Sequence, residues 1–427
     1  MRKVLIADGV RTPFTKAGTL QAAAHTVDLG RYVTAELMVR TGIDPSQVDE
    51  LVAGNVIQPV DAVNVARVIA LRAHLPNSVP AYTVHRNCAS GIQALAEGWM
   101  MIASGRAECV ICLGVESMSD APFIVKRSVR AWLTELQKKK SLGAKVGHLK
   151  KLPMKDLFPD IGLILGLTDP VSTLNMGQTA ENLARDFAIS RTEQDQLAMT
   201  SNLRVAAAWE AGRFDDEVMT TFPPPTFDPV SRDNGHRADS TLEKLATLKP
   251  VFDRENGTVT AANSSQITDG ACAVLLTSED FAKKSAMKPL GAMVDFAFGG
   301  LDPSRMGLGP VYSTHRIFEK HNLGWDAIDL VELNEAFAAQ AIACLRAWDS
   351  KEFYKREMGG AKAPGAPDWN QVNVNGGGVA LGHPVGATGT RIVLTLLREL
   401  NRTGGKNGIA TLCIGGGQGA TVLVEAV

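Results

Sequence analysis

Neither sign of charge dominates this chain of 427 residues: Lys and Arg number 44, Asp and Glu 45, for a net charge of −1. A balance like that gives no global field for nucleic acid or membrane, so any anion binding must come from local patches. Long apolar runs are also missing. No stretch of about 18 uncharged apolar residues occurs, so no membrane-spanning helix is expected. The opening MRKVLIADGV is too short for a signal sequence and ends at Arg11-Thr12-Pro13. The final Val-Glu-Ala-Val is no peroxisomal address. Cysteines are few, at 88, 109, 112, 272, 344 and 413, with no disulfide framework. A reducing, cytoplasmic compartment is the expectation. Cys109-Val-Ile-Cys112 has the spacing of a redox or zinc motif but lies inside an expected strand, without a flanking turn or second pair, which favours simple burial over a metal site.

What is present is a core-forming composition, 45% hydrophobic and 21% charged. Expected strands at Lys3–Ala7, Glu50–Val56, Ala81–Val84 and Glu108–Val115 alternate with expected helices at Leu29–Arg40, Val63–Ala73 and Ser90–Ser104. Alternation of this length predicts parallel sheet with crossover helices. It breaks near Pro122. From Phe123 to Pro159 the chain is basic and weakly periodic, Asn182–Gly212 reads as helix, and Pro223-Pro224-Pro225 marks a loop. We read 121–250 as an inserted, mostly helical region. Strands resume at Ala271–Thr277 and Pro289–Ala297, with later ones at Asp329–Leu333, Ile409–Ile414 and Thr421–Glu425. Helices are expected over Ser313–His321, from Glu335, and over Gly389–Asn401. In each outer part a reactive side chain precedes a helix that starts with small residues, Cys88 in one and His383 in the other. That is a faint sign of a duplicated unit.

Four segments could carry chemistry. Cys88 in Asn87-Cys88-Ala89-Ser90-Gly91 precedes a helix, whose free N–H groups and dipole would stabilise a thiolate. Taken alone, a buried structural cysteine is the simpler reading. His383, held between Gly382 and Pro384, could take the Cys88 proton and donate to an oxyanion, or could be a loop histidine without a role. Cys413 enters Gly415-Gly416-Gly417, whose N–H groups suit an anion, and its thiol could move a proton. Asn334 could hold a water or carbonyl at the carboxyl edge of the sheet, or cap the helix after it.

Together Asn87-Cys-Ala-Ser-Gly, Gly114-Val-Glu-Ser-Met-Ser, Asn334-Glu-Ala-Phe, Gly382-His-Pro-Val-Gly-Ala-Thr-Gly and Cys413-Ile-Gly-Gly-Gly resemble the thiolase family, in order and spacing, over nearly the whole chain. The resemblance implies an α/β fold of duplicated five-stranded mixed-sheet layers (αβαβα) with an inserted loop domain. Its parts would be an N-terminal half over 1–120, completed by about 251–280, a coenzyme-A-binding loop domain over 121–250, and a C-terminal half over 281–427. It implies thiolytic cleavage of 3-ketoacyl-CoA, or the reverse Claisen condensation of acetyl-CoA. Cys88 would be acylated, His383 would activate it, and Cys413 would be the acid/base. Asn334 (through a water) with His383, and the N–H groups of Cys88 and Gly415, would form two oxyanion holes. Leu167, Met176, Ser265, Ala336 and Phe337 would touch pantetheine. Coenzyme A and acetyl-CoA would be substrates, with no permanently bound cofactor. Asn175 stands where the family often has His. The Asp233-Asn-Gly-His-Arg237 turn, Ala262-Asn-Ser-Ser265 and the long insert before Asn373 resemble the thiolase subunit of trifunctional fatty-acid-oxidation complexes, although that branch often has His at the place of Asn334. A homodimer or homotetramer is implied, with a hydratase/dehydrogenase subunit as a candidate partner.

Two other readings share parts of this pattern. A ketoacyl synthase shares the fold but lacks the second reactive cysteine, and a non-catalytic docking subunit would have lost one of Cys88, His383 or Cys413. In the basic stretch Lys126–Lys155, Val125, Val129, Trp132, Leu133 and Leu136 recur at helical spacing. That stretch could dock a partner or a membrane surface, attract coenzyme A phosphates, or be a solvated face.

Overall fold

A computed structural model describes all residues 1–427. The first half runs β1 (Val4–Arg11), β2 (Thr15–Lys16), α1 (Thr26–Thr41), β3 (Glu50–Gly54), α2 (Val65–Arg72), β4 (Ala81–Val84), α3 (Ser90–Ala103) and β5 (Cys109–Glu116). Gly42 closes α1 in the left-handed conformation, φ 62°, which costs glycine nothing. The insert holds the pair β6 (Phe123–Ile124) and β7 (Asp160–Ile161), with α4 (Arg127–Lys138), α5 (Leu142–Leu149), α6 (Gly162–Gly166), α7 (Met176–Asp186), α8 (Arg191–Glu210) and α9 (Leu242–Ala246). Then come β8 (Thr268–Ser278), α10 (Glu279–Lys284), β9 (Gly291–Gly300), α11 (Gly309–His321), β10 (Leu330–Leu333), α12 (Ala338–Asp349), α13 (Lys351–Glu357), α14 (Gly378–Leu381), α15 (Val385–Thr403), β11 (Asn407–Ile414) and β12 (Gln418–Ala426).

Nine strands form one path, β10-β11-β12-β9-β1-β8-β5-β3-β4, with β2 attached to β8. Its two sides repeat one pattern. On one, β4, β3 and β5 are parallel and β8 and β1 antiparallel; on the other, β10 and β11 are parallel and β12 and β9 antiparallel. The five strands expected in each half are complete in the first. In the second, the fifth place is a single parallel bridge, Val331 to Val372. The halves join through β1 and β9, paired only at Leu5–Ala292 and Ile6–Gly291.

Three cores give five layers. α1 and α2 cover the outer face of the first half with Leu29, Val33, Leu37 and Ile69. α3 and α15 lie between the halves, where Ile92, Leu95, Ile392 and Leu396 meet inward side chains of both. α11 and α12 cover the outer face of the second half with Val311, Ile317 and Trp348, and α7 joins them. This central layer explains why α15 is buried on every side from Val385 to Leu397, Thr388, Thr390 and Arg391 included: a helix clamped between two sheet faces has almost no face left for water.

Several elements differ from expectation. The helix expected over Asn182–Gly212 is two, α7 and α8, parted at Ala188 with φ 49°. α12 begins at Ala338 rather than Glu335 and its cap is Phe337, so Asn334 is not a helix cap. α15 starts at Val385, which places His383 two residues before it. The weakly periodic basic stretch contains two helices, α4 and α5. No helix is long and apolar enough to cross a membrane.

Candidate active site

Cys88 follows β4 on a turn that hands the chain to α3. Asn87 adopts φ 44°, and its Nδ2 donates to the Gly415 carbonyl at 2.7 Å. Ser90 Oγ accepts from the Arg86 N–H and donates to the Asn87 carbonyl. The turn is thereby fixed from within and tied to the glycine turn after β11. The expected low thiol pKa is not what results. Burial pushes the Cys88 thiol up, while the N–H groups of Gly415 and of Cys88 itself lie against the sulfur and pull it back.

His383 occupies the corresponding place in the second half. Gly382 precedes it at φ 95°, and a Cβ there would sit 2.2 Å from Thr268 Cγ2, so only glycine fits. The His383 N–H donates to the Gln266 carbonyl. Thr388 Oγ1 donates to the Pro384 carbonyl at 3.1 Å, which leaves its lone pair for His383 Nδ1 at 2.6 Å. That arrangement assigns the proton to Nδ1 and leaves Nε2 an acceptor. Burial, with a smaller push from the charge of Arg391, lowers the His383 pKa to about 3. The imidazole is therefore neutral at rest.

Asn334 is buried at the end of β10, with Nδ2 at 3.5 Å from His383 Nε2. Its Oδ1 has no partner. Cys413 is buried at the end of β11, opposite Gly419, and the glycine turn follows with Gly416 at φ 89° and Gly417 at φ 78°. Burial and the neighbouring Cys88 push the Cys413 thiol well up.

Glu116, which sequence reasoning passed over, braces this cluster. It is wholly buried at the end of β5. One carboxylate oxygen accepts from Asn55 Nδ2 and the Ile57 N–H, the other from the N–H groups of Val56 and Gly386. Burial raises its pKa to about 7 against those donors. Four donors on one carboxylate pin the His383–Gly386 turn to the loop after β3. Its place in the Gly-Val-Glu-Ser motif, a charge ending an apolar strand, was the available signal. Glu335 braces the stretch that leads to His383, accepting from Ser201 Oγ, Asn373 Nδ2 and the Val379 N–H of α14.

Cys88, His383 and Cys413 line one cavity of about 480 Å³, and so do Leu167, Met176, Ser265, Ala336 and Phe337. Asn334 stands behind His383, and Gly415 faces a second cavity of about 320 Å³. The two cavities meet at Cys88, Met118, Leu167, Met176 and Val385. The second is walled by Val56, Ile57 and the insert residues Leu163 and Val171. A third, of about 440 Å³, continues from the first through Lys16, Ala261 and Gln266 and carries Arg237 and Lys244. Neither basic residue is given a binding role by the sequence, because two scattered cations look like surface. Asn175 lines the first cavity and caps α7 in a reciprocal pair with Gln178.

Chemically, the cluster offers two thiols, a neutral imidazole with an open nitrogen, and N–H donors on a sulfur. This suits covalent acyl transfer with a second group to move a proton. His, Cys, Asp and Glu nowhere gather in threes that could hold a metal ion.

Comparison with known proteins bears on the same residues. Residues 4–280 match the model of the thiolase N-terminal domain and residues 287–426 that of the thiolase C-terminal domain. A 3-ketoacyl-CoA thiolase of Yersinia enterocolitica is 39% identical over 424 residues, 99% of this chain and 97% of that protein. One of Serratia proteamaculans is 40% identical over the same shares. Among solved structures, the Bacillus anthracis acetyl-CoA acetyltransferase superposes with TM-score 0.87 at 37% identity, covering 100% of this chain and 99% of that one. Human mitochondrial 3-ketoacyl-CoA thiolase in complex with CoA gives TM-score 0.87 at 37% identity, covering 100% and 98%. With both family domains matched end to end, the chain belongs to the thiolase family.

Proposed function

We propose that the chain is an acyl-CoA:acetyl-CoA C-acyltransferase that cleaves 3-ketoacyl-CoA with coenzyme A and, in reverse, condenses acyl-CoA with acetyl-CoA. The observation that carries this reading is the convergence of Cys88, His383 and Cys413 on one cavity. A ketoacyl synthase has no use for the Cys413 thiol, and a docking subunit has no need of all three groups.

The chemistry follows from the states of the groups. Burial raises the Cys88 thiol and lowers the His383 imidazole, so the resting pair is neutral. Proton transfer then accompanies attack rather than preceding it. Cys88 Sγ adds to the 3-keto carbon as His383 Nε2 takes the thiol proton. The oxyanion formed is held by the N–H groups of Cys88 and Gly415, which already face the sulfur. The C2–C3 bond breaks with its electron pair on C2, and the enolate oxygen faces the protonated His383 Nε2 and Asn334, directly or through a water. Cys413, kept a thiol by burial, protonates C2 and acetyl-CoA leaves. The Cys413 thiolate then takes the proton of incoming coenzyme A, whose sulfur attacks acyl-Cys88. Acyl-CoA leaves and the Cys88 sulfur regains its proton from His383. Two half-reactions through a covalent intermediate give ping-pong kinetics.

The cavities support the substrate class. The first takes pantetheine along Leu167, Met176, Ser265, Ala336 and Phe337. Lys16, Arg237 and Lys244 around the third suit the phosphates of coenzyme A. The apolar second cavity suits acyl groups longer than acetyl. β4, a half-buried edge strand, supports pairing with a second copy as a homodimer or homotetramer. All six cysteines are free, which supports a reducing, cytoplasmic setting. A hydratase/dehydrogenase partner would place the enzyme in fatty-acid oxidation.

The test is coenzyme-A-dependent cleavage of 3-ketoacyl-CoAs from acetoacetyl-CoA upward. Cys88→Ala should abolish both cleavage and acyl-enzyme. Cys413→Ala should still be acylated by acetyl-CoA but condense more slowly by about a hundredfold or more. Rapid condensation by Cys413→Ala would overturn its role, and no cleavage at any chain length by folded wild type would overturn the function.

A further inference from the structure

The second cavity is mostly apolar, and one carboxylate breaks the pattern. Val56, Ile57, Leu163 and Val171 wall it, Cys88 opens into it, and Asp169 is the only charged residue that lines it. No Lys, Arg or His lines the cavity to balance that charge. Asp169 is nonetheless only 5% exposed.

The loop before α7 holds Asp169 in place. The Asp169 N–H donates to the Leu174 carbonyl, and the Thr173 N–H donates to the Asp169 carbonyl. Thr168 bridges Asn175 across the base of the loop. One side-chain oxygen serves this loop. Asp169 Oδ1 accepts from the N–H groups of Val171 and Ser172, at 2.9 and 2.7 Å, and from Ser172 Oγ at 3.1 Å. The other oxygen, Oδ2, receives no hydrogen bond from the chain. It faces the glycine turn after β11, 4.0 Å from where a Cβ on Gly416 would stand. A turn of this kind needs one acceptor oxygen, which Asn supplies as well as Asp. The turn therefore accounts for Oδ1 and leaves both the charge and Oδ2 unused. Gly415, one residue before Gly416, presents its N–H to the Cys88 sulfur. Successive Cα atoms are about 3.8 Å apart, so Oδ2 stands beside the path of an acyl chain a short way beyond its bond to Cys88.

We propose that Asp169 sets which acyl groups this cavity accepts: it favours 3-ketoacyl-CoAs whose chain ends in a hydroxyl and rejects those whose chain ends in a carboxylate. The inference rests on the acyltransferase reading above and narrows its substrate class. A chain of carbon and hydrogen alone would cover Oδ2 and leave a buried carboxylate oxygen without a donor, which is costly. A chain hydroxyl would donate to that oxygen, and a hydrogen bond to a charged acceptor is stronger than one between neutral groups. A terminal carboxylate would set like charge against Asp169 with no cation between them.

The experiment measures kcat/KM for thiolysis of 3-ketoacyl-CoAs at several chain lengths, each ending in a methyl, a hydroxyl or a carboxylate. In wild type the hydroxyl form should exceed the methyl form by about tenfold at one length or more. The carboxylate form should fall about a hundredfold below the methyl form. Ratios are compared within each protein, so the total activity of a variant does not enter. Asp169→Asn keeps an oxygen for Val171 and Ser172. It should lose most of the hydroxyl preference and raise the carboxylate-to-methyl ratio by about tenfold. Asp169→Ser should shift both ratios the same way. A wild type that cleaves the methyl form as well as the hydroxyl form at every length would overturn the proposal, as would variant ratios equal to those of wild type. Failure of wild type to cleave acetoacetyl-CoA, whose acyl group is a bare acetyl, would instead overturn the function on which the proposal rests.

Discussion

His383 shows how one side chain's surroundings set its chemistry. Thr388 fixes its tautomer, and burial holds it neutral down to a pKa of about 3. In the unfolded chain the same imidazole titrates near its ordinary 6.5. Between those values the unfolded state binds the proton and the folded state does not. This group therefore removes stability as pH falls through that window and has no such effect above it. His383→Gln should resist acid better than wild type. From about pH 7.5 to about pH 5, the unfolding free energy by urea titration should fall by about 2 kcal/mol less in the variant. An equal fall in both proteins would mean that His383 is protonated in the folded state. The place of His383 was legible from Gly-His-Pro ahead of small residues. The state of Cys88 was not. A helix start signals a lowered thiol pKa, but the opposing burial depends on the fold, which brings Met118, Leu167, Met176 and Val385 around Cys88.

At the scale of elements, the cluster depends on main chains packed without side chains between them. A Cβ on Gly114 would lie 2.2 Å from the Gly386 carbonyl oxygen, and one on Gly54 2.2 Å from that of Ser90. The ends of β5 and β3 thus touch the first turns of α15 and α3, and Glu116 ties the first turn of α15 to the loop after β3. Because backbone cannot swing aside as a flexible side chain does, Gly114→Ala should destabilise the fold by about 3 kcal/mol. It should also slow acylation of Cys88 by pushing the His383 turn outward. A denaturation midpoint unchanged from wild type would show that the turn can move freely. Strand and helix order could be read from the alternation around Glu50–Val115, since each element there has its own period and its own breaker. The insert was less legible. One helix stood in sequence where Ala188 in fact parts two, and the apolar spacing pointed to α4 alone, where Val129 is buried, although α5 also exposes Leu142, Val146 and Leu149. Spacing says which residues share a face, not what covers it.

At the scale of the molecule, Cys88 and His383 are equivalents. Each follows the outermost strand position of its half, β4 or the Val372 bridge, and each stands just before a helix of the central layer. The duplication was faintly visible as two reactive residues before small-residue helices. Its seam was not, since β1 and β9 meet at only two residue pairs and leave no motif. That seam bears on how the protein could be divided. The cavity takes a thiol from one half and a thiol and an imidazole from the other, so neither half alone holds a complete set. Cut in the segment between α10 and β9, the chain should yield two inactive pieces. Co-expressed, they should regain thiolysis only by re-forming the helix pair α3–α15, so activity would report fragment complementation. Activity in either piece alone would contradict a site shared across the seam.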